Sequence, residues 1–320
     1  MGYTQWCMTV GKATRLLVFA IGLSLFPALG CACNRRAANH ATSPGPRPSS
    51  LTMPSKITMA FVPSVESQKI TESGTPLAKL LEAEMGIPVV VQNLPDYTVV
   101  VEGTGAGKID VAWIPPLAYV LGKQRFAGLQ GILMVTRFGG QKSYRGQILV
   151  KKGVAKTLAD LKGKRFAFAD SASTSGFLFP RLLFLKNGID LDKDFKSVVS
   201  AGGHDKVIYA ILQGSVDAGA TFDDARRLAV KRIPNVYDKT EVIAYTDWIP
   251  NDNVTVRPNM DTALRDKIKS SLLKIAATDE GRKLLFNLYE IDGLTEFDEA
   301  AYDPVREAAE KLHILKIPAR

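Results

Sequence analysis

From Lys56 onward the chain alternates short apolar runs with stretches of helical periodicity. Residues 56–62 form an apolar run that ends at Pro63-Ser64, the pattern of a buried strand. Leu77, Leu80, Leu81 and Met85 then fall at helical spacing, and Gly86 ahead of Pro88 closes that helix. A second strand is predicted over 87–92, a helix over 98–107 and a third strand over 109–114; shorter apolar runs follow at 117–121, 131–137 and 146–151. After Leu158-Ala-Asp-Leu161 the series restarts with a strand over 164–169, which ends in a Ser/Thr-rich turn. A helix over 176–187 with Gly188 just past its end follows, then a strand over 195–200, a helix over 204–214 and a strand over 216–222. The last stretch is helical, at 260–278, 281–289 and 304–312. Strands alternating with helices predict βαβ units and mainly parallel sheets, hence an α/β protein of two lobes with a helical tail. In open sheets of this kind ligands sit beyond the carboxyl ends of the strands.

The first thirty residues do not follow this pattern. Lys12 and Arg15 precede the apolar run 16–26, and small residues end it, which is the layout of a secretory signal over 1–30. The run is too short for a membrane span. Ala28-Leu29-Gly30-Cys31 resembles a bacterial lipobox, which makes Cys31 the acylated residue; simple cleavage, or use of Cys33, remain alternatives. Residues 31–54 are polar and rich in Pro and Ser, the composition of a flexible tether. The expected product is an extracytoplasmic, membrane-anchored lipoprotein.

Charge then changes the picture less than its total suggests. The chain carries 41 Lys and Arg against 32 Asp and Glu, a formal +9. Lys12, Arg15, Arg35, Arg36 and Arg47 account for five of these charges, with no acid among the first fifty residues. The remainder is only mildly basic and has no basic-aromatic stripe, which argues against nucleic acid. The Cys residues, Cys7, Cys31 and Cys33, all precede the folded part, so its stability comes without disulfides. With three His in the chain, neither a metal centre nor a bound cofactor is expected.

The sharpest local signal is Asp170-Ser171-Ala172-Ser173-Thr174-Ser175-Gly176, between a strand and a helix. Hydroxyl groups and unpaired amides at a helix N-terminus suit a tetrahedral oxyanion, with donors but no fixed cation. Helix capping is the competing reading. His204, in Gly202-Gly203-His204, stands at the equivalent strand-to-helix turn. Gly103 to Lys108 is superficially like a phosphate loop, but it ends a helix, and Ile109 stands where a magnesium-binding hydroxyl belongs. No nucleophile–base pair can be assembled, so catalysis is not expected.

These residues bring a family into view. Ser64-Val-Glu-Ser67, Pro95-Asp-Tyr97, Ile109-Asp-Val-Ala-Trp113, Pro116-Leu-Ala-Tyr119, Tyr144, the Asp170–Gly176 turn, His204 and Val216-Asp-Ala-Gly219 together resemble the solute-binding lipoproteins of ABC importers for phosphonate, phosphite and phosphate. The resemblance implies a type II periplasmic-binding-protein fold, with residues 55–147 plus 253–320 as lobe one and 148–252 as lobe two. It implies that Ser173, Thr174 and Ser175 hold the phosphonyl oxygens, that Tyr97 and Tyr144 donate from lobe one, and that His204 completes the ring. Asp252 would accept from a ligand hydroxyl or amine and so disfavour sulfate. Asp224 stands near the position of a second acid, where aminoalkylphosphonate binders have the longer Glu. The implied partners are a small oxyanion and a membrane permease with a separate ATPase, and the implied state is a monomer. An oxyanion-sensing lipoprotein that presents its ligand to a signalling partner is the alternative within the same family.

Overall fold

The structure is a computed structural model, and it describes residues 53–315. The leader, Cys31 and most of the tether lie outside the described residues. Two mixed sheets organise the chain. Among the described residues the first has six strands and the second five.

The first sheet begins with β1 (Ile57–Phe61), β2 (Val89–Asn93) and β3 (Val111–Ile114), joined through the helices α1 (Ser67–Met85) and α2 (Tyr97–Gly105). These strands are parallel, with β1 between the other two and buried along its whole length. Helix α3 (Pro116–Arg125) leads to β4 (Gln130–Thr136), and the chain then leaves for the second sheet. There β5 (Ser143–Lys151) precedes the parallel strands β6 (Arg165–Phe168), β7 (Ser197–Ser200) and β8 (Ala218–Phe222). Helices α4 (Phe179–Lys186), α5 (Leu191–Asp194) and α6 (His204–Leu212) connect them. A short helix, α7 (Val236–Lys239), and the edge strand β9 (Thr240–Pro250) complete this half. The chain returns through β10 (Asn253–Val256), packs α8 (Thr262–Ala276) and α9 (Asp279–Tyr289), adds β11 (Gly293–Glu296) and ends in α10 (Asp303–Lys311).

The expected mainly parallel sheets are therefore parallel on one side only. Strands β10 and β11 run antiparallel in the first sheet, and β5 runs antiparallel to both β8 and β9 in the second. The cause is connectivity. The chain crosses between the sheets twice, and a strand that enters or leaves by such a crossing has no helical crossover to turn it parallel.

Each sheet is covered on both faces. Met59, Leu77, Leu133, Ile268 and Leu285 pack on one face of the first, and Ala60, Val100, Leu117, Tyr119 and Ala309 on the other. In the second, Phe166, Phe184 and Phe195 stack edge to face below the sheet, with Leu149, Val207 and Ile211 above. Leu178 and Phe179, from the second half, join the core of the first. The two crossings, at 137–142 and 251–252, are tied together. Asn251 is fully buried; its side chain donates to the Val135 and Gln141 carbonyls, and its amide donates to Lys142. Tyr302 adds a bond to the Asn251 carbonyl at 2.6 Å.

The candidate oxyanion site

The parallel strands of both sheets end at a cavity of about 430 Å³ between the lobes. One end of it, the head, is built on the strand-to-helix turn that follows β6. Ser173 is extended at φ −78°, and its Oγ accepts from the Gly176 amide at 3.1 Å; a π-helical turn, Thr174–Leu178, then runs into α4. Ser173 is thus a helix cap and a cavity-lining residue at once. The first amides of the turn, those of Thr174 and Ser175, have no acceptor inside the helix they start.

Two glycines allow the turn to sit so close to its neighbours. A Cβ on Gly176 would come 2.5 Å from the Ala169 Cβ and 2.9 Å from the His204 Cε1. A Cβ on Gly146 would come 2.8 Å from the Ser175 carbonyl oxygen.

His204 starts α6, and its Nε2 lies 3.4 Å from the Ser173 Oγ. The ring packs edge-on against Phe222, and burial pushes its pKa down to about 3, so it is neutral at physiological pH. Its Nδ1 has no hydrogen-bond partner among the described residues. Placing the proton on Nε2 avoids burying an unmatched N–H, and it directs the donor toward Ser173 and the cavity.

Ser175 and Tyr144 both line the cavity, and the Tyr144 phenol is raised by burial and then by the Asp252 carboxylate. Tyr144, expected from lobe one, lies on β5, whose neighbours β8 and β9 both belong to the second sheet. The crossing occurs earlier than expected, at the Phe138-Gly139-Gly140 turn. Tyr97 follows the N-cap Asp96 of α2 and is buried. Burial, and next the charge of Asp170, hold its phenol far above the usual range. Its hydroxyl therefore stays protonated as a donor.

The structure thus brings Tyr97, Tyr144, Ser173, Ser175, His204, Asp224 and Asp252 to the wall of one cavity. Thr174 does not join them through its side chain. Its fully buried Oγ1 accepts from the Leu117 amide at 2.9 Å, a bond between the lobes. The His204 amide makes a second such bond, to the Ser64 carbonyl at 3.1 Å. Asp224 stands toward the outer end, where Tyr237 donates to it at 3.0 Å and Arg226 and Arg227 lie within 4 Å.

The wall also carries cations that were not expected. Arg137 donates through Nη2 to Asp252 at 2.7 Å, through Nη1 to Asn251 and through Nε to the Tyr289 carbonyl. Burial opposes its charge, but Asp252 more than offsets this and its pKa rises. Arg227 makes a two-pronged ion pair with Glu290 across the cleft. Both guanidinium groups are thereby neutralised by carboxylates. Tyr289 is a further wall residue; it donates to the Val62 carbonyl at 2.6 Å.

A family model described as "ABC transporter, phosphonate, periplasmic substrate-binding protein" matches residues 59–302. The chain belongs to this family. Among curated members, it is 35% identical to the Phosphate-import protein PhnD of Mycolicibacterium smegmatis over 237 residues, 66% of this chain and 72% of that protein. It is 29% identical to the Phosphonates-binding periplasmic protein of Escherichia coli, over 70% of this chain and 68% of that one. The fold is also that of Prochlorococcus marinus PhnD1, solved in complex with methylphosphonate. The TM-score is 0.74 at 18% identity, over 82% of this chain and 99% of that one. Family membership places the chain outside the cytoplasm, as the substrate-binding part of an ABC importer. The two-lobed architecture is the type II periplasmic-binding-protein fold.

Proposed function

We propose that this protein captures a phosphorus oxyanion, a phosphonate, phosphite or phosphate, at the head of the cavity and delivers it to a permease with a separate ATPase. The observation that carries this is the convergence on one cavity end of Ser173, Ser175, Tyr97, Tyr144 and His204, all of them neutral. A dehydrated oxyanion needs several donors at once, and hydrogen bonds from neutral groups to a charged acceptor supply them. Both arginines of the wall are already paired, so neutral donors carry the head, which keeps release possible; Lys69 also lines the cavity.

In this reading the Thr174 and Ser175 amides, the Ser173–His204 pair and the Ser175, Tyr144 and Tyr97 hydroxyls surround the phosphonyl oxygens. Asp252 accepts from a P–OH, which sulfate lacks at neutral pH. Residues 55–136 with 253–315 and residues 143–250 act as two bodies that open and close about the tied crossings. Closure then brings Tyr97 onto the anion already seated on the second lobe. The protein performs no reaction on its ligand, acts as a monomer and is tethered to the membrane through acylated Cys31.

Calorimetric titration of the purified protein with methylphosphonate, phosphite, phosphate and sulfate tests this reading. It predicts tight binding of at least one phosphorus oxyanion and weak binding of sulfate. Absence of binding to all four, with a folded and ligand-free protein, would overturn it.

A further inference from the structure

The head occupies only part of the cavity. A five-heavy-atom oxyanion, at roughly the 30 Å³ that water takes per heavy atom, fills about 150 Å³. The cavity measures about 430 Å³, so well over half of it lies beyond the anion. Phe138, Phe222, Leu228, Leu288 and Ile291 are among the apolar residues of the wall outside the Ser173–Gly176 turn and its donors. The wall is mostly apolar, the acids Asp223 and Asp224 and the cation Lys69 also line it, and its arginines are paired with Asp252 and Glu290. The space therefore suits a substituent that is bulky and uncharged rather than a second anionic group.

Phe138 is the unusual member of this wall. It sits at the tip of the first crossing with a left-handed backbone, φ 51°, and 55% of its surface is exposed. A bulky residue rarely adopts this conformation, and backbone strain of this kind persists where surrounding bonds impose it. The bonds are present. The amides and carbonyls of Arg137 and Gln141 bond each other in both directions, at 3.0 and 2.8 Å. The Gly139 amide donates to Asp292 at 2.5 Å. The Arg227 guanidinium lies 5.5 Å from the Phe138 ring centre and 5.6 Å from that of Phe222, so it bridges the two rings across the cleft. An aromatic ring is thus fixed, half in solvent, beside an apolar space that an inorganic anion would leave to water.

We propose that the ligand carries its phosphoryl or phosphonyl head on an apolar, ring-sized substituent, and that Phe138 is the residue that selects for it. The proposal rests on the phosphorus-oxyanion reading of the head and adds the class of substituent. The substituent occupies the space between Phe138 and Phe222, covers the exposed ring and displaces water from apolar wall. A direct P–C bond and a P–O–C ester present the same head, so both are tested.

The experiment is calorimetric titration of the protein and of Phe138→Asn with methylphosphonate, phenylphosphonate and phenyl phosphate. Asn tolerates the left-handed backbone, so this variant removes the ring without adding strain; a thermal melt confirms that it folds. The expected result is that at least one phenyl ligand binds the native protein about tenfold or more tightly than methylphosphonate. Phe138→Asn removes that preference while methylphosphonate affinity moves by less than about threefold. Methylphosphonate binding as tightly as both phenyl ligands would overturn the substituent class and leave the oxyanion reading standing. An equal loss for all three ligands in Phe138→Asn would overturn the selecting role of that residue. Binding of none of them would remove the oxyanion reading as well.

Discussion

The two ends of the cavity are built on opposite principles. The head draws most of its donors from one turn, Ser173 to Gly176, and surrounds them with buried groups that desolvation keeps neutral, the Tyr97 phenol protonated and the His204 ring uncharged. The mouth is assembled from residues distant in the chain, Phe138, Phe222, Arg227 and Glu290, joined by ring contacts and a cross-lobe ion pair. A neutral head can be rigid and specific for an oxyanion because it has no charge of its own to neutralise when empty. On the proposed reading, a mouth made of paired charges and exposed ring surface meets what surrounds the anion, and lobe motion would change it. Selectivity for the anion and selectivity for its substituent are thereby separable.

That separation can be broken most severely at the head. Replacing both hydroxyls, Ser173→Ala with Ser175→Ala, removes two bonds to a charged acceptor, each worth about 1.5–3 kcal/mol. Affinity for every phosphorus oxyanion should fall by at least about a hundredfold, whatever the substituent. A loss below tenfold in calorimetry would show that the turn is a helix cap and nothing more.

The next test concerns the neutrality of the head. The folded pKa of His204, about 3, lies below the ordinary 6.5. The unfolded chain therefore takes the proton first. The stability gained by keeping the ring neutral is fully present above about pH 6.5 and is lost as pH falls toward 3. The loss amounts to roughly 3–4 kcal/mol over that window. Denaturation at pH 7.5, 5.5 and 4 should show this decline in the native protein and a smaller one in His204→Gln. Parallel declines would place the acid sensitivity elsewhere.

Much of the fold was legible before the structure, because the strands of the parallel portions are short, apolar and bounded by Pro or Gly. The stretch from Asp223 to Asn259 was not. Strand β9 lies at a sheet edge with Tyr245 and Trp248 exposed, so it lacks the apolar run of a buried strand. Within the site, the Ser173–Gly176 turn was legible because its chemistry is contiguous. The orientation of Thr174 was not, since nothing in its neighbours reveals that Leu117, from a distant helix, takes its hydroxyl. Arg137 was missed for the same reason; its partners Asn251, Asp252 and Tyr289 lie 114, 115 and 152 positions away. The Phe138-Gly-Gly sequence did carry a turn signal, in hindsight the one local trace of the mouth.

The smallest effect is expected at the mouth's ion pair. Arg227→Gln breaks a cross-lobe contact that is partly exposed, so it should weaken all ligands by no more than about fivefold and reduce the salt dependence of binding. A change confined to one ligand would mean that Arg227 touches the ligand directly rather than closing the cleft.

The central claim is that the oxyanion sits at the head. A crystal structure of the protein grown with methylphosphonate tests it most directly. The account predicts phosphonyl oxygens within hydrogen-bond distance of the Thr174 and Ser175 amides and of the Tyr97 hydroxyl, with the lobes closed. A phosphonate bound instead to Arg137 or Arg227, with Asp252 or Glu290 displaced, would contradict it.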